Sequence, residues 1–215
     1  MQIKVCGMRE RENILALERE IAPDWMGLIF YSKSARFVNN AESLPKTNLR
    51  KVGVFVNESV AEILMKVDEY GLSAIQLHGK ESVEFVEALA QKTKKEIWKV
   101  ISVKDTIDWD SLRGYLPFIS KFLFDTATVA HGGSGKKFDW SVLESYPFDK
   151  GFLLSGGLDE SCADEVLALV AKVPQLEGVD LNSKFEVEPA LKNIEKLKSF
   201  KKRLLGQEEK PTTDN

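Results

Sequence analysis

Lys121-Phe122-Leu123-Phe124-Asp125-Thr126-Ala127-Thr128-Val129-Ala130-His131-Gly132-Gly133-Ser134-Gly135-Lys136-Lys137-Phe138-Asp139-Trp140 is the stretch on which the reading of this chain turns. Its apolar start, Phe122 to Phe124, has the length and character of a buried strand, and it stops at a carboxylate. A strand that ends in an acid sets that acid at a fixed place. Behind it come Gly132, Gly133 and Gly135, a loop whose backbone is free to approach a ligand. The run Gly-Gly-Ser-Gly-Lys suggests a phosphate-binding P-loop, but the spacing excludes one. That motif needs Gly where Ala130 stands and Ser or Thr where Lys137 stands.

Working outward, the same unit of strand, polar end and helix recurs. Strands are expected at residues 3–6, 25–30, 51–56, 74–79, 97–103, 122–125, 151–155 and 178–181. Helical spacing follows at residues 10–21, weakly at 39–48, then from Ser59 to a C-cap at Gly71, around Val83 to Leu89, and at 108–116, 140–146 and 161–173. Pro189 is expected to open the last helix, which runs to about Leu205. Eight such units, about 25 residues apart, point to an α/β chain built as a single (β/α)8 barrel over residues 1–205, with a disordered polar tail at 206–215. An open doubly wound sheet is the alternative, and five or six strands would be its usual count.

Totals narrow the class of function. The chain has 215 residues, 43% hydrophobic and 29% charged, with a net charge of -3, which disfavours a nucleic-acid or anionic-membrane partner. No apolar run reaches a membrane span and Lys4 and Arg9 interrupt any signal peptide, so a cytoplasmic protein is expected. Cys6 and Cys162 make neither a disulfide framework nor a metal-ligand spacing.

In a barrel, chemistry sits at the C-terminal strand ends. The polar residues there are Cys6, Asn57, His78, Asp125, Ser155, Asp180 and Asn182, with Arg36 on a loop. Cys6 and Asp125 are a base-capable thiol and an acid-capable carboxylate. Read as isolated residues, they fit a small buried hydrophobe and a turn-capping acid equally well. Strand alternation puts Lys4 inside the barrel beneath Cys6, where its ammonium is expected to lower the thiol pKa. Ser155-Gly156-Gly157-Leu158 and Asp180-Leu181-Asn182-Ser183, on the last two loops, suit a phosphate: glycine backbone approaches closely, and Ser183 adds a hydroxyl. Arg36 is suited to a ligand carboxylate, or is a solvated charge. His78 reads as an inward core histidine, His131 as a surface residue, Cys162 as structural, and the charges from Lys192 to Lys202 as a solvated helix face.

These motifs together resemble one family. Lys4-Val5-Cys6-Gly7-Met8, Gly27-Leu28-Ile29-Phe30-Tyr31-Ser32-Lys33-Ser34-Ala35-Arg36-Phe37-Val38, Lys51-Val52-Gly53-Val54-Phe55-Val56-Asn57, Gln76-Leu77-His78-Gly79, Phe122 to Thr126, the glycine loop with Phe138-Asp139-Trp140, Ser155 to Leu158, and Gly178-Val179-Asp180 resemble phosphoribosylanthranilate isomerase from Ile3 to about Phe200. The resemblance implies a cofactor-free, metal-free Amadori rearrangement of phosphoribosylanthranilate in tryptophan biosynthesis. By that likeness Asp125 is the general acid and Cys6 the general base. Arg36 meets the anthranilate carboxylate and Asp180 the sugar hydroxyls, while Gly156, Gly157, Asn182 and Ser183 hold the phosphate. The loop of Gly132, Gly133 and Gly135 covers the substrate. A small-molecule substrate is expected with no nucleic acid and no membrane, and a monomer is the expected state.

Several positions depart from the family pattern. Ala35 replaces the usual Pro, Ser134 the usual Thr, Ala190 the usual Gly and Asn193 the usual Asp, and Asn182 to Phe185 differs from the frequent Ser-Ser-Gly-Val. A sibling isomerase of histidine biosynthesis would resemble an Asp pair instead, which Cys6 argues against. A silent phosphosugar-binding barrel is the reading from another class.

Overall fold

Alternation of apolar residues along short segments drives eight strands into one sheet, and the sheet closes on itself. In the computed structural model, which describes residues 1–126 and 138–206, the strands are β1 (Gln2–Val5), β2 (Trp25–Ile29), β3 (Lys51–Phe55), β4 (Ala74–Leu77), β5 (Glu96–Val103), β6 (Lys121–Thr126), β7 (Phe152–Leu154) and β8 (Leu176–Leu181). All neighbours are parallel, and β8 returns to β1 in the register Lys4 to Asp180. Residues facing outward, such as Ile3, Val5, Leu28 and Phe124, join the helices in one large core. A smaller cluster fills the barrel interior: Trp25, Val52, Ala74, Trp98, Val100, Leu123 and Leu153. The floor is therefore solid, and space for a ligand opens only above it.

The helices are α1 (Arg11–Glu20), α2 (Val60–Tyr70), α3 (Val83–Ala90), α4 (Ala163–Lys172) and α5 (Ile194–Leu204). The expected caps of α2 are present: the Ser59 side chain accepts from the Glu62 N–H, and Gly71 ends the helix in the left-handed region. Residues 108–116 and 140–146 form only 3-10 turns, at Asp110–Tyr115 and Trp140–Ser145.

Two expectations need correction. Residues 39–48 carry no helix. Their only apolar anchors on the core are Ala41 and Leu44, too few for a buried stripe, and Pro45 interrupts them. The chain instead crosses from β2 to β3 as an irregular segment tied down by Val38, whose N–H donates to the Ile29 carbonyl. Pro189 does not open the last helix. It sits in the turn of a hairpin, β9 (Glu186–Glu188) with β10 (Leu191–Lys192), followed by Ala190 at φ 73°. Proline followed by a left-handed residue fits a type II turn, and α5 starts later, capped by Asn193.

Candidate active site

Every strand of the barrel sends residues to one cavity at its C-terminal mouth, with about 1130 Å³ of empty space that is partly open to solvent. Cys6 comes from β1, Ile29 from β2, Val54 from β3, Gln76 and His78 from β4, Ser102 from β5, Asp125 from β6, Ser155 from β7 and Asp180 from β8. The loops add Arg36, Gly156, Gly157, Asn182, Ser183 and Lys184. All eight described residues for which a binding or catalytic role was expected thus line one chamber. The expected covering loop, with Gly132, Gly133 and Gly135, and also His131, lie outside the described residues, as does the tail beyond Gly206.

Room for the Cys6 sulfur comes from the neighbouring strand. A Cβ on Gly27 would stand 2.7 Å from Sγ, so any side chain there would evict the thiol from its place. Beneath it the fully buried Lys4 pairs with Asp180, Nζ to Oδ1 2.8 Å. Burial works against the Lys4 ammonium, but Asp180 and the Cys6 sulfur outweigh it and hold the charge. The expected downward pull of Lys4 on the Cys6 thiol is present, through its charge and a hydrogen bond, but it does not set the net direction. Burial pushes the thiol up, and the downward pull of Lys4 is not enough to reverse it, since Asp180 beside Lys4 opposes that pull. Burial likewise raises Asp180, with Lys4 offsetting only part.

Asp125 has His78 as its neighbour, and His78 is not a core histidine but a half-buried residue lining the cavity. His78 Nε2 lies 3.3 Å from Asp125 Oδ2, and its other nitrogen, Nδ1, lies 3.3 Å from the Gln76 amide nitrogen. A Gln76 N–H donating to Nδ1 leaves the His78 proton on Nε2, on the side of the ring that neighbours the carboxylate. On the other side Asp125 abuts Gly156, at φ 84°. A Cβ there would meet the Thr126 backbone nitrogen at 2.4 Å and Asp125 Oδ1 at 2.7 Å, so only glycine lets the β7 loop close on the acid.

The last two loops form the second wall. Asn182 precedes a 3-10 turn at Ser183–Phe185, the short helix start that an anion seat calls for. Lys184 lines the same wall, a cation the sequence reading did not single out.

Arg36 is not a solvated charge. Its Nε and Nη2 form a fork on Glu186, with bonds of 2.8, 3.1 and 2.6 Å. That fork is the largest factor raising the guanidinium pKa above its ordinary value. Glu186 also takes a bond from the Lys192 ammonium, so Lys192 is no part of a solvated helix face: it is 2% exposed. A hairpin signal was available in Glu186-Val187-Glu188-Pro189-Ala190-Leu191-Lys192, an acid and a lysine flanking a turn. Asn57, by contrast, stays out of the cavity: its side chain accepts from the Lys80 N–H and serves the loops. Among the described residues no group of three or more His, Cys, Asp and Glu could hold a metal ion, and no helix is long and apolar enough to cross a membrane.

A family model described as N-(5'phosphoribosyl)anthranilate (PRA) isomerase matches residues 3–203. This chain belongs to the phosphoribosylanthranilate isomerase family. An N-(5'-phosphoribosyl)anthranilate isomerase of Phocaeicola vulgatus is 45% identical over 200 residues, 93% of this chain and 96% of its own length. That of Parabacteroides distasonis is 42% identical over 214 residues, 95% and 94% respectively. A solved phosphoribosylanthranilate isomerase in complex with reduced 1-(o-carboxyphenylamino)-1-deoxyribulose 5-phosphate matches with a TM-score of 0.77 at 29% identity, covering 96% of this chain and 99% of its own. Two departures from the pattern of phosphoribosylanthranilate isomerases now have local accounts. Asn193 still caps α5, its side chain accepting from the Lys196 N–H at 3.1 Å, and Ala190 occupies a left-handed position that glycine would adopt without strain.

Proposed function

We propose that this chain catalyses the cofactor-free Amadori rearrangement of N-(5-phosphoribosyl)anthranilate to 1-(2-carboxyphenylamino)-1-deoxyribulose 5-phosphate, with Asp125 as acid and Cys6 as base. Asp125 gives its proton to the furanose ring oxygen as the C1–O bond breaks and the nitrogen lone pair forms the C1=N Schiff base. The Cys6 thiolate then takes the C2 proton. The C–H electrons form C1=C2 and the imine π electrons return to nitrogen, giving an enolamine. Loss of the C2 hydroxyl proton and protonation at C1 complete the ketone. Atoms and electrons balance with nothing added but proton transfer.

The observation that carries this reading is that the Cys6 sulfur and the Asp125 carboxylate open into one cavity together with the Gly156-Gly157 and Asn182-Ser183 loops. The raised thiol pKa is compatible with it: the Schiff base is cationic, and a positive charge formed beside the sulfur favours the thiolate at the step that needs it. In this scheme Arg36 takes the anthranilate carboxylate through the guanidinium edge that Glu186 leaves open. Asp180 meets the sugar hydroxyls, while Gly156, Gly157, Asn182 and Ser183, with Lys184, seat the phosphate. His78 donates to the Asp125 carboxylate once its proton has left.

The test is turnover of phosphoribosylanthranilate, followed by loss of its fluorescence, in wild type, Cys6→Ser and Asp125→Asn. Each variant is expected to lose about 10²- to 10⁴-fold in kcat while keeping the melting temperature within a few degrees. Near-normal turnover in either removes the role assigned to that residue. A monomeric cytoplasmic enzyme is part of the same reading, and light scattering that gives the mass of two chains would replace the monomer with a dimer.

A further inference from the structure

The hairpin after β8 builds a charged cluster whose arithmetic bears on substrate choice. Register sets Lys192 opposite Glu186. Asn13 of α1 clamps the Lys192 backbone from both sides, donating to its carbonyl at 2.9 Å and accepting from its N–H at 2.8 Å. The ammonium, wholly buried, bonds Glu186 and the Asn182 Oδ1 at 3.0 Å. Glu186, whose side chain is 4% exposed, takes Arg36 through its fork and also the Ala190 N–H at 3.2 Å. Arg36 and Asn182 meet again over Gly7, beside Cys6: a Cβ there would lie 2.6 Å from Arg36 Cδ and 2.9 Å from Asn182 Oδ1.

One carboxylate therefore faces two cations. An Arg36–Glu186 pair alone would be neutral and would offer an incoming carboxylate hydrogen bonds but no net charge. Burial lowers the Lys192 pKa and Glu186 offsets only part of that, but while the ammonium is charged the cluster carries one excess positive charge in a largely desolvated place, where a charge acts over several ångströms. Glu186 fixes the balance in a second way, by occupying the Nε–Nη2 edge so that the Nη1–Nη2 edge of Arg36 is the one free for a bidentate partner.

We propose that Lys192 is a specificity-determining residue: it supplies the net charge through which the Arg36–Glu186 pair selects an aglycone that bears a carboxylate. Lys192 does so without contact with the reacting atoms. The proposal rests on the isomerase reading above and adds to it the origin of discrimination between carboxylated and plain aryl amines.

The experiment is calorimetric titration of the full chain with two stable ligands, reduced 1-(o-carboxyphenylamino)-1-deoxyribulose 5-phosphate and the same molecule without the ring carboxylate. Wild type is expected to prefer the first by tenfold or more, on the order of what one excess charge at several ångströms provides. Lys192→Met should lose most of that preference: the lost bond to Asn182, on the phosphate side, affects both ligands alike, and the further weakening falls on the carboxylated ligand alone. Methionine matches the lysine stem in volume and leaves Glu186 paired with Arg36, so the fold should survive. Lys192→Gln, which keeps a donor without the charge, reads the same ratio should the methionine variant fail to fold. A variant that keeps the wild-type preference, or weakens both ligands equally, overturns the role of Lys192 while the isomerase reading stands. Wild type that binds neither ligand overturns both.

Discussion

Two buried lysine–glutamate pairs face different duties. Lys99 and Glu81, 4% and 1% exposed, meet at 2.7 Å on the outer wall, where the loop after β4 folds against β5. Glu81 accepts in addition from the Asn57 and Gly79 N–H groups, and Lys99 donates to the Gly79 carbonyl. That cluster is neutral, and its polar atoms are spent on backbone. Lys192 and Glu186 are as deeply buried, but Arg36 joins them and the sum is one positive charge beside the cavity. The lesson is that the same chemical pair locks a loop when its charge closes to zero, and becomes a recognition element when it does not.

The largest effect that can break this contrast is in stability. Lys99→Met strands the buried Glu81 charge with backbone donors only and should cost about 3–5 kcal/mol in urea denaturation, with kcat of the folded fraction unchanged. Lys192→Met, with Arg36 still on Glu186, should cost less than about 1.5 kcal/mol. Equal losses would show that both pairs are structural.

Next comes pH. Burial raises the Cys6 pKa, while Lys4 and, more weakly, Lys192 pull it down. Since the thiolate is the base, kcat/KM should climb with pH up to that raised value. In Lys192→Met the climb should move to higher pH, whereas Lys99→Met should leave it in place. The same shift has a stability consequence of fixed sign. The unfolded thiol loses its proton first, so above the ordinary thiol pKa of about 8.5 the folded state holds more protons and stability falls as pH rises toward the folded pKa. Cys6→Ser should abolish that part of the alkaline loss in a pH series of denaturation curves. An unchanged slope would mean that the sulfur sits in water.

The smallest effect sharpens the hairpin that carries Lys192. Ala190 at φ 73° bears left-handed strain of about 1 kcal/mol, partly offset by the greater freedom glycine has in the unfolded chain. Ala190→Gly should therefore gain about 0.5 kcal/mol, a rise of about 1–2 °C in Tm by calorimetry. A loss would mean that the methyl group packs better than its strain suggests.

Much of this was legible beforehand where local rules act alone. Strand ends at Cys6, Asp125 and Asp180 followed from apolar runs that stop at polar residues, and Ser59 and Gly71 marked helix ends by their capping chemistry. Misreadings arose where a local preference was overruled. Pro189 favours a helix start and a turn equally, and only the left-handed residue after it decided for the turn.

The order of strands, the acid and the thiol at their ends and the glycines under them are properties of the chain itself, because periodicity and backbone freedom are written residue by residue. Tertiary structure alone decided the electrostatics. Whether Lys4 or burial governs the Cys6 thiol, whether Arg36 is solvated or forked onto a glutamate 150 positions away, and whether Lys192 faces water or is buried against Glu186 and Asn182 all depend on solvent exclusion and on partners distant in sequence. Those quantities come into being only when the barrel closes, since a charge has no environment until the chain has folded around it.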